Sequence, residues 1–148
     1  MTRLGILFGA ACVAALPSAA AEDPIAARQA IMTSVGAAAG LVGGVMKGEI
    51  TYTPAIGKAA IATFRAAATT YGDYFPEGSQ DAARSEAAPK IWEDRAAFDA
   101  EIAKFLAAAS AAAEASGRAG PADAETFVAL AKPIMAECNA CHQTFRLD

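Results

Sequence analysis

Near the carboxyl end, Cys138-Asn-Ala-Cys141-His142 puts two thiols one helical turn apart with an imidazole beside the second. Three chemistries use such residues. A structural zinc site needs four thiolate or imidazole ligands. Residues 22–148 hold two cysteines and one histidine, and the adjacent Cys141 and His142 cannot easily face one tetrahedral ion. A redox dithiol sits at a helix N-terminus in a βαβ setting, where the helix dipole lowers the thiol pKa. Here the pair lies near the end of the last helix of an all-helical chain, the wrong end to activate a thiolate. The third chemistry is covalent haem attachment, whose signature is C-x-x-C-H. Each thiol adds to a haem vinyl group, and the neighbouring imidazole faces the iron as proximal ligand. His142 is the single histidine of the chain, so the pattern predicts one haem c on Cys138 and Cys141.

The start of the chain supports that reading. Arg3 precedes an apolar run from Leu4 to Leu16, followed by Pro17 and Ala19-Ala20-Ala21. A basic start, a short apolar core and an A-x-A end predict a cleaved secretory signal over residues 1–21. The domain then spans residues 22–148, and Cys12 leaves with the signal. Haem attachment to thiols takes place outside the cytoplasm, so the two features agree and predict a periplasmic protein. The chain of 148 residues carries a formal net charge of −4, and loss of Arg3 leaves it more acidic. Nucleic acid is thereby excluded as a partner, because phosphates demand a basic face. No apolar run after the signal is expected to span a membrane.

Four helices must position the motif. Alanine is abundant and β-branched runs are absent, so helix is the default by propensity. The first runs from about Pro24 to Gly48 behind Asp23, with a stripe of Arg28, Met32, Val35, Ala39, Val42 and Met46. The second starts at Thr53-Pro54, carries Ile61, Phe64, Ala68, Tyr71 and Phe75, and ends at Pro76-Glu77-Gly78. A polar loop over residues 78–88 follows. The third spans Pro89 to about Ser116 with Ile91, Phe98, Ile102 and Phe105 inward; Glu93, Asp94, Arg95, Glu101 and Lys104 read as its solvated face. Pro121 opens the fourth, with Phe127, Leu130, Ile134, Cys141 and Phe145 inward and a kink expected at Pro133. Four amphipathic helices with mostly short connections predict an all-α, antiparallel up-down-up-down four-helix bundle.

The segments Ala27-Arg28-Gln29-Ala30-Ile31-Met32, Lys90-Ile91-Trp92 and Cys138-x-x-Cys141-His142-x-x-Phe145-Arg146 together resemble the class II c-type cytochromes, that is, cytochrome c′ and its low-spin relatives. The resemblance covers essentially residues 22–148. It implies a four-helix bundle, a periplasmic location and frequent homodimers.

In such a bundle the start of helix one, the end of helix two, the start of helix three and the end of helix four share one end, where His142 puts the haem. With no second histidine, the sixth iron ligand is a Met, a Lys, an exogenous molecule or nothing. Met46 lies fourteen residues beyond Met32, about 21 Å along a helix, and so belongs to the other end. Met135 sits on the proximal helix itself, which leaves Met32. Its plain alternative is core filler, and its position resembles the family's distal site, occupied by a ligating Met in low-spin members. Ligation predicts one-electron transfer between redox partner proteins, with no substrate turned over; an open site predicts binding of a small gas such as nitric oxide. Arg28 reads as a partner of a haem propionate or of a surface acid. Trp92 reads as a wall of the macrocycle or as core, and Phe145 as proximal packing. Arg146 resembles the basic residue that family members place beside the proximal ligand; alternatively it offsets the helix dipole.

Overall fold

A computed structural model describes residues 23–147, so the expected signal segment lies outside the described residues. Helix α1 spans Pro24–Met46. Asp23 Oδ1 accepts from the amides of Ile25 at 3.0 Å and Ala26 at 3.5 Å, while Pro24 occupies a position where no amide is needed. Its inward residues are Ile25, Arg28, Val35, Ala38, Val42 and Val45. Met46, expected in the stripe, is 65 % exposed, because after Val42 the inward row steps by three to Val45. Contrary to expectation, α1 is by length and composition apolar enough to cross a membrane. Alanines supply much of that apolarity, and its inward row packs in the bundle core.

Helix α2 spans Pro54–Thr70, capped by Thr53 Oγ1, which accepts from the Ile56 amide at 3.3 Å. It ends earlier than expected, tightening into a 3₁₀ turn over Tyr71–Tyr74 before Pro76. The expected third helix is two: α3, Lys90–Glu93, and α4, Arg95–Ser116. The break is at Asp94, whose φ of −137° and ψ of 64° leave the helical region. Its carboxylate accepts from the Ala97 amide at 3.2 Å, so an expected surface acid is a cap that competes with helix continuation. Helix α5 spans Ala124–Phe145. It is capped by Asp123, which accepts from the Thr126 amide at 2.8 Å, and so opens three residues after the expected Pro121. Pro133 leaves it helical throughout.

The four long helices α1, α2, α4 and α5 form the antiparallel bundle. Its main core gathers Val35, Val42, Ile61, Phe64, Phe105, Ala109, Phe127 and Ile134. A second cluster of Phe75, Ile91, Phe98 and Phe145 lies at one end. There Phe98 meets Phe75 and Phe145 edge-on at 4.8 and 5.4 Å, an arrangement favoured by the ring quadrupoles. What separates the two clusters is a cavity.

Candidate haem site

The cavity has a volume of about 960 Å³ and is lined from both clusters, with Val35, Phe105 and Met135 on one side and Phe75, Ile91, Phe98 and Phe145 on the other. A gap of that size would collapse or fill with water in an ordinary core, since interiors are close-packed. Here it is a mostly apolar pocket with few polar groups, the form of a cofactor site.

Helix α5 presents Cys138, Cys141 and His142 to this pocket. Both thiols are free and half-buried. Burial raises the Cys138 pKa and pushes that of Cys141 up to about 11, with Glu101 adding to the effect. Neutral, desolvated thiols are the opposite of what thiol-disulfide chemistry requires. For His142, burial and then the charge of Arg146 lower the pKa, with Glu86 opposing. The shift favours the neutral imidazole, the form that binds a metal.

Met32 on α1 lines the same cavity as His142, as does Gly36 one turn further on. Outside the adjoining turns of α1 itself, no atom lies within 4 Å of where a Gly36 Cβ would stand, so this face of α1 leaves room beside Met32. Met46 is not in the lining; Met135 is, from the helix that carries His142.

The remaining expected residues divide. Phe145 is 5 % exposed and lines the cavity. Arg146 lines it too, with Nη1 3.4 Å from His142 Nδ1. Arg28 reaches the lining but is no surface residue: it is 2 % exposed. Its Nη1 donates to Tyr74 O at 3.3 Å and Ser79 Oγ at 3.2 Å, and its Nη2 to Ser79 O at 3.0 Å and Ser85 Oγ at 2.9 Å. Trp92 is not in the lining. It packs one layer back, 5.8 Å from the Phe75 ring, with Nε1 donating to Pro76 O at 3.1 Å.

Sequence reasoning missed Glu101, read as a surface acid. Its side chain is 19 % exposed where its partner Lys104 is 59 % exposed, it lines the cavity, and its Oε2 is buried without a partner. A spacing of three to Lys104 looked like any surface pair; its i, i+3 and i, i+4 relations to the inward Phe98 and Phe105 were the hint. Segment 82–87 also lines the cavity, although its polar composition marked it only as a loop.

These features fit a haem c. Two neutral thiols and a neutral imidazole stand on one helix facing an apolar pocket, and two buried polar atoms, Arg28 Nε and Glu101 Oε2, lack partners among the described residues. A four-helix bundle carrying C-x-x-C-H in its last helix, turned toward such a pocket, defines a c-type cytochrome. The chain belongs to the Cytochrome C' family, whose model matches residues 23–146. It is 34 % identical to cytochrome c-556 of Agrobacterium fabrum over 96 % of this chain and 91 % of that one. It is 31 % identical to cytochrome c' of Rhodopseudomonas palustris over 97 % and 95 % of the two chains. The solved cytochrome c' from Rhodopseudomonas palustris superposes with a TM-score of 0.75 at 32 % identity, covering 85 % of this chain and 97 % of that one. The structural model of oxidized cytochrome c556 from R. palustris superposes with 0.71 at 32 %, covering 86 % and 98 %. The protein is thus a monohaem member of an electron-transport family, with one covalently attached haem c.

Proposed function

We propose that this protein carries single electrons between redox partners in the periplasm, after removal of residues 1–21 as a signal peptide. Cys138 and Cys141 would hold the haem c, and His142 and Met32 would offer its iron an imidazole nitrogen and a thioether sulfur. The observation that carries this reading is that Met32 and His142, on different helices, open onto one cavity. When bound, the haem supplies a one-electron couple whose potential a thioether ligand raises.

The chain's own residues then do three things. The aromatic cluster around Phe98 excludes water from one side of the pocket. Partial burial and Arg146 lower the His142 pKa, which favours the neutral imidazole that binds a metal. Met32, half-buried against the main core, is held by packing and loses little freedom on ligation.

A second reading is a five-coordinate iron that binds a small gas such as nitric oxide, with Met32 only packing nearby. It is favoured by the comparable likeness to relatives called cytochrome c' and cytochrome c-556. Absorption spectra of the purified holoprotein, oxidised, reduced and with nitric oxide, separate the two. Low-spin bands with a sulfur-to-iron charge-transfer feature and no nitric oxide adduct are expected. A high-spin spectrum that shifts on addition of the gas would replace the first reading by the second.

A further inference from the structure

Between Phe75 and Pro89 the chain makes no helix, yet its last part is fastened on two sides. On the α1 side, Gln29 Nε2 donates to Arg84 O at 2.6 Å, Arg28 Nη2 donates to Ser85 Oγ at 2.9 Å, and Arg84 pairs with Asp23. On the α5 side, the Ala88 amide donates to Phe145 O at 3.0 Å and the Leu147 amide to Glu86 O at 2.7 Å, around an antiparallel bridge between Ala87 and Arg146. A connection of this length without secondary structure is unusual in a small domain, and where it is ordered it commonly has a function.

Arg28 supplies one of these fastenings, to Ser85, and three further bonds to the part of the loop that leads into it, at Tyr74 and Ser79. Its guanidinium has no carboxylate within ion-pair reach among the described residues. It lies over the Phe75 and Trp92 rings at 4.9 and 5.6 Å and donates to four oxygens of segment 74–85. Burying a cation without a counter-ion is costly unless its donors are used. Here four donor contacts hold a loop in one course, offsetting the entropy of ordering it.

We propose that residues 84–88 are a strap joining the helix that carries Met32 to the end of the helix that carries His142, and that Arg28 is the positioning residue that holds this strap over the haem cavity. The inference rests on the assignment of Met32 and His142 to opposite faces of the haem. A fastened strap fixes the spacing between the two helices at the mouth of the pocket. Released, it lets that rim open.

The test uses holoprotein and two readouts: amide hydrogen exchange at Ala88 and Leu147, and Soret circular dichroism, which senses the asymmetry of the haem surroundings whatever the iron's ligands. Arg28→Met is expected to quicken exchange at both amides by at least about tenfold and to change the Soret signal. Arg28→Lys is expected to restore neither, because a point-like ammonium cannot serve four oxygens fanned around a fork. If Arg28→Met yields no holoprotein, the pair Ser79→Ala and Ser85→Ala removes both hydroxyl acceptors while the cation stays. In either variant, exchange at the original rate overturns the proposal, as does quickened exchange beside an unchanged Soret signal. Loss of the methionine-ligand reading would show separately, in the spin state of Met32→Ala, with exchange at the strap unmoved.

Discussion

Arg146 Nη1 stands 3.4 Å from His142 Nδ1, four residues along the chain and just past the last turn of α5. An imidazole that offers Nε2 to iron carries its proton on Nδ1, so both atoms of this contact are donors and the interaction is Coulombic. With His142 as the proposed proximal ligand, a cation so close to it disfavours the ferric state more than the ferrous. We expect Arg146→Gln to lower the midpoint potential, on the order of tens of millivolts for an exposed charge. Redox titration by visible absorption checks it; an equal or higher potential would remove Arg146 from the proximal electrostatics.

Replacing Met32 by alanine is expected to convert the haem to a high-spin, ligand-accessible form. Met135→Leu, a nearly volume-conserving change in the same cavity, should keep the low-spin spectrum. Should both variants keep it, Met32 is packing alone.

Tyr71 bears on alkaline stability. Burial raises the pKa of its phenol well above the ordinary value of 10.0, Cys141 adding to the shift and Arg28 opposing it. In the holoprotein Cys141 is a thioether without charge, and burial remains. A phenol that ionises more readily unfolded than folded favours the native state only while both are neutral. That contribution is complete below pH 10 and is lost as pH rises above the unfolded value. Tyr71→Phe should therefore move the alkaline unfolding midpoint upward, measured by far-UV circular dichroism against pH.

Gly120 is the point where the turn between α4 and α5 meets the start of α2. Its φ is +94°, and a Cβ there would lie 2.3 Å from Pro54 O. Gly120→Ala should cost more than about 1 kcal/mol in denaturant unfolding. The visible spectrum should not change, because this turn is at the opposite end of the bundle from the cavity.

Phe98 touches both Phe75 and Phe145 and is 1 % exposed. Phe98→Ala should cost about 3–5 kcal/mol and, unlike the glycine variant, perturb the Soret band. Equal spectra for the two would mean that the second cluster does not shape the haem pocket.

The chemistry and the architecture of this protein were legible in residue order. C-x-x-C-H is a local pattern whose spacing alone places two thiols and an imidazole on one side of a helix, and caps such as Asp23-Pro24 and Thr53-Pro54 act within a turn of themselves. Periodicity over four segments was enough for a bundle, because apolar stripes have to be buried whatever the loops do. Solvation of a polar side chain is a different kind of quantity, set by what other segments bring to it. Glu101 looked like half of a surface pair and Arg28 like a propionate or surface partner. Both line the cavity, and Arg28 is also buried beneath a loop, because α1, α4, α5 and segment 82–87 converge there. Of the two places open to Trp92, wall of the pocket or core, it takes packing against Phe75, and Asp94 became a cap only when the backbone broke beneath it. Sequence by itself determined which groups could react and which faces had to be hidden, since both follow from neighbours along the chain. Only the tertiary structure decided which polar groups share the cavity and how the segment over it is tied, since those depend on residues distant in sequence competing for the same space and the same hydrogen bonds.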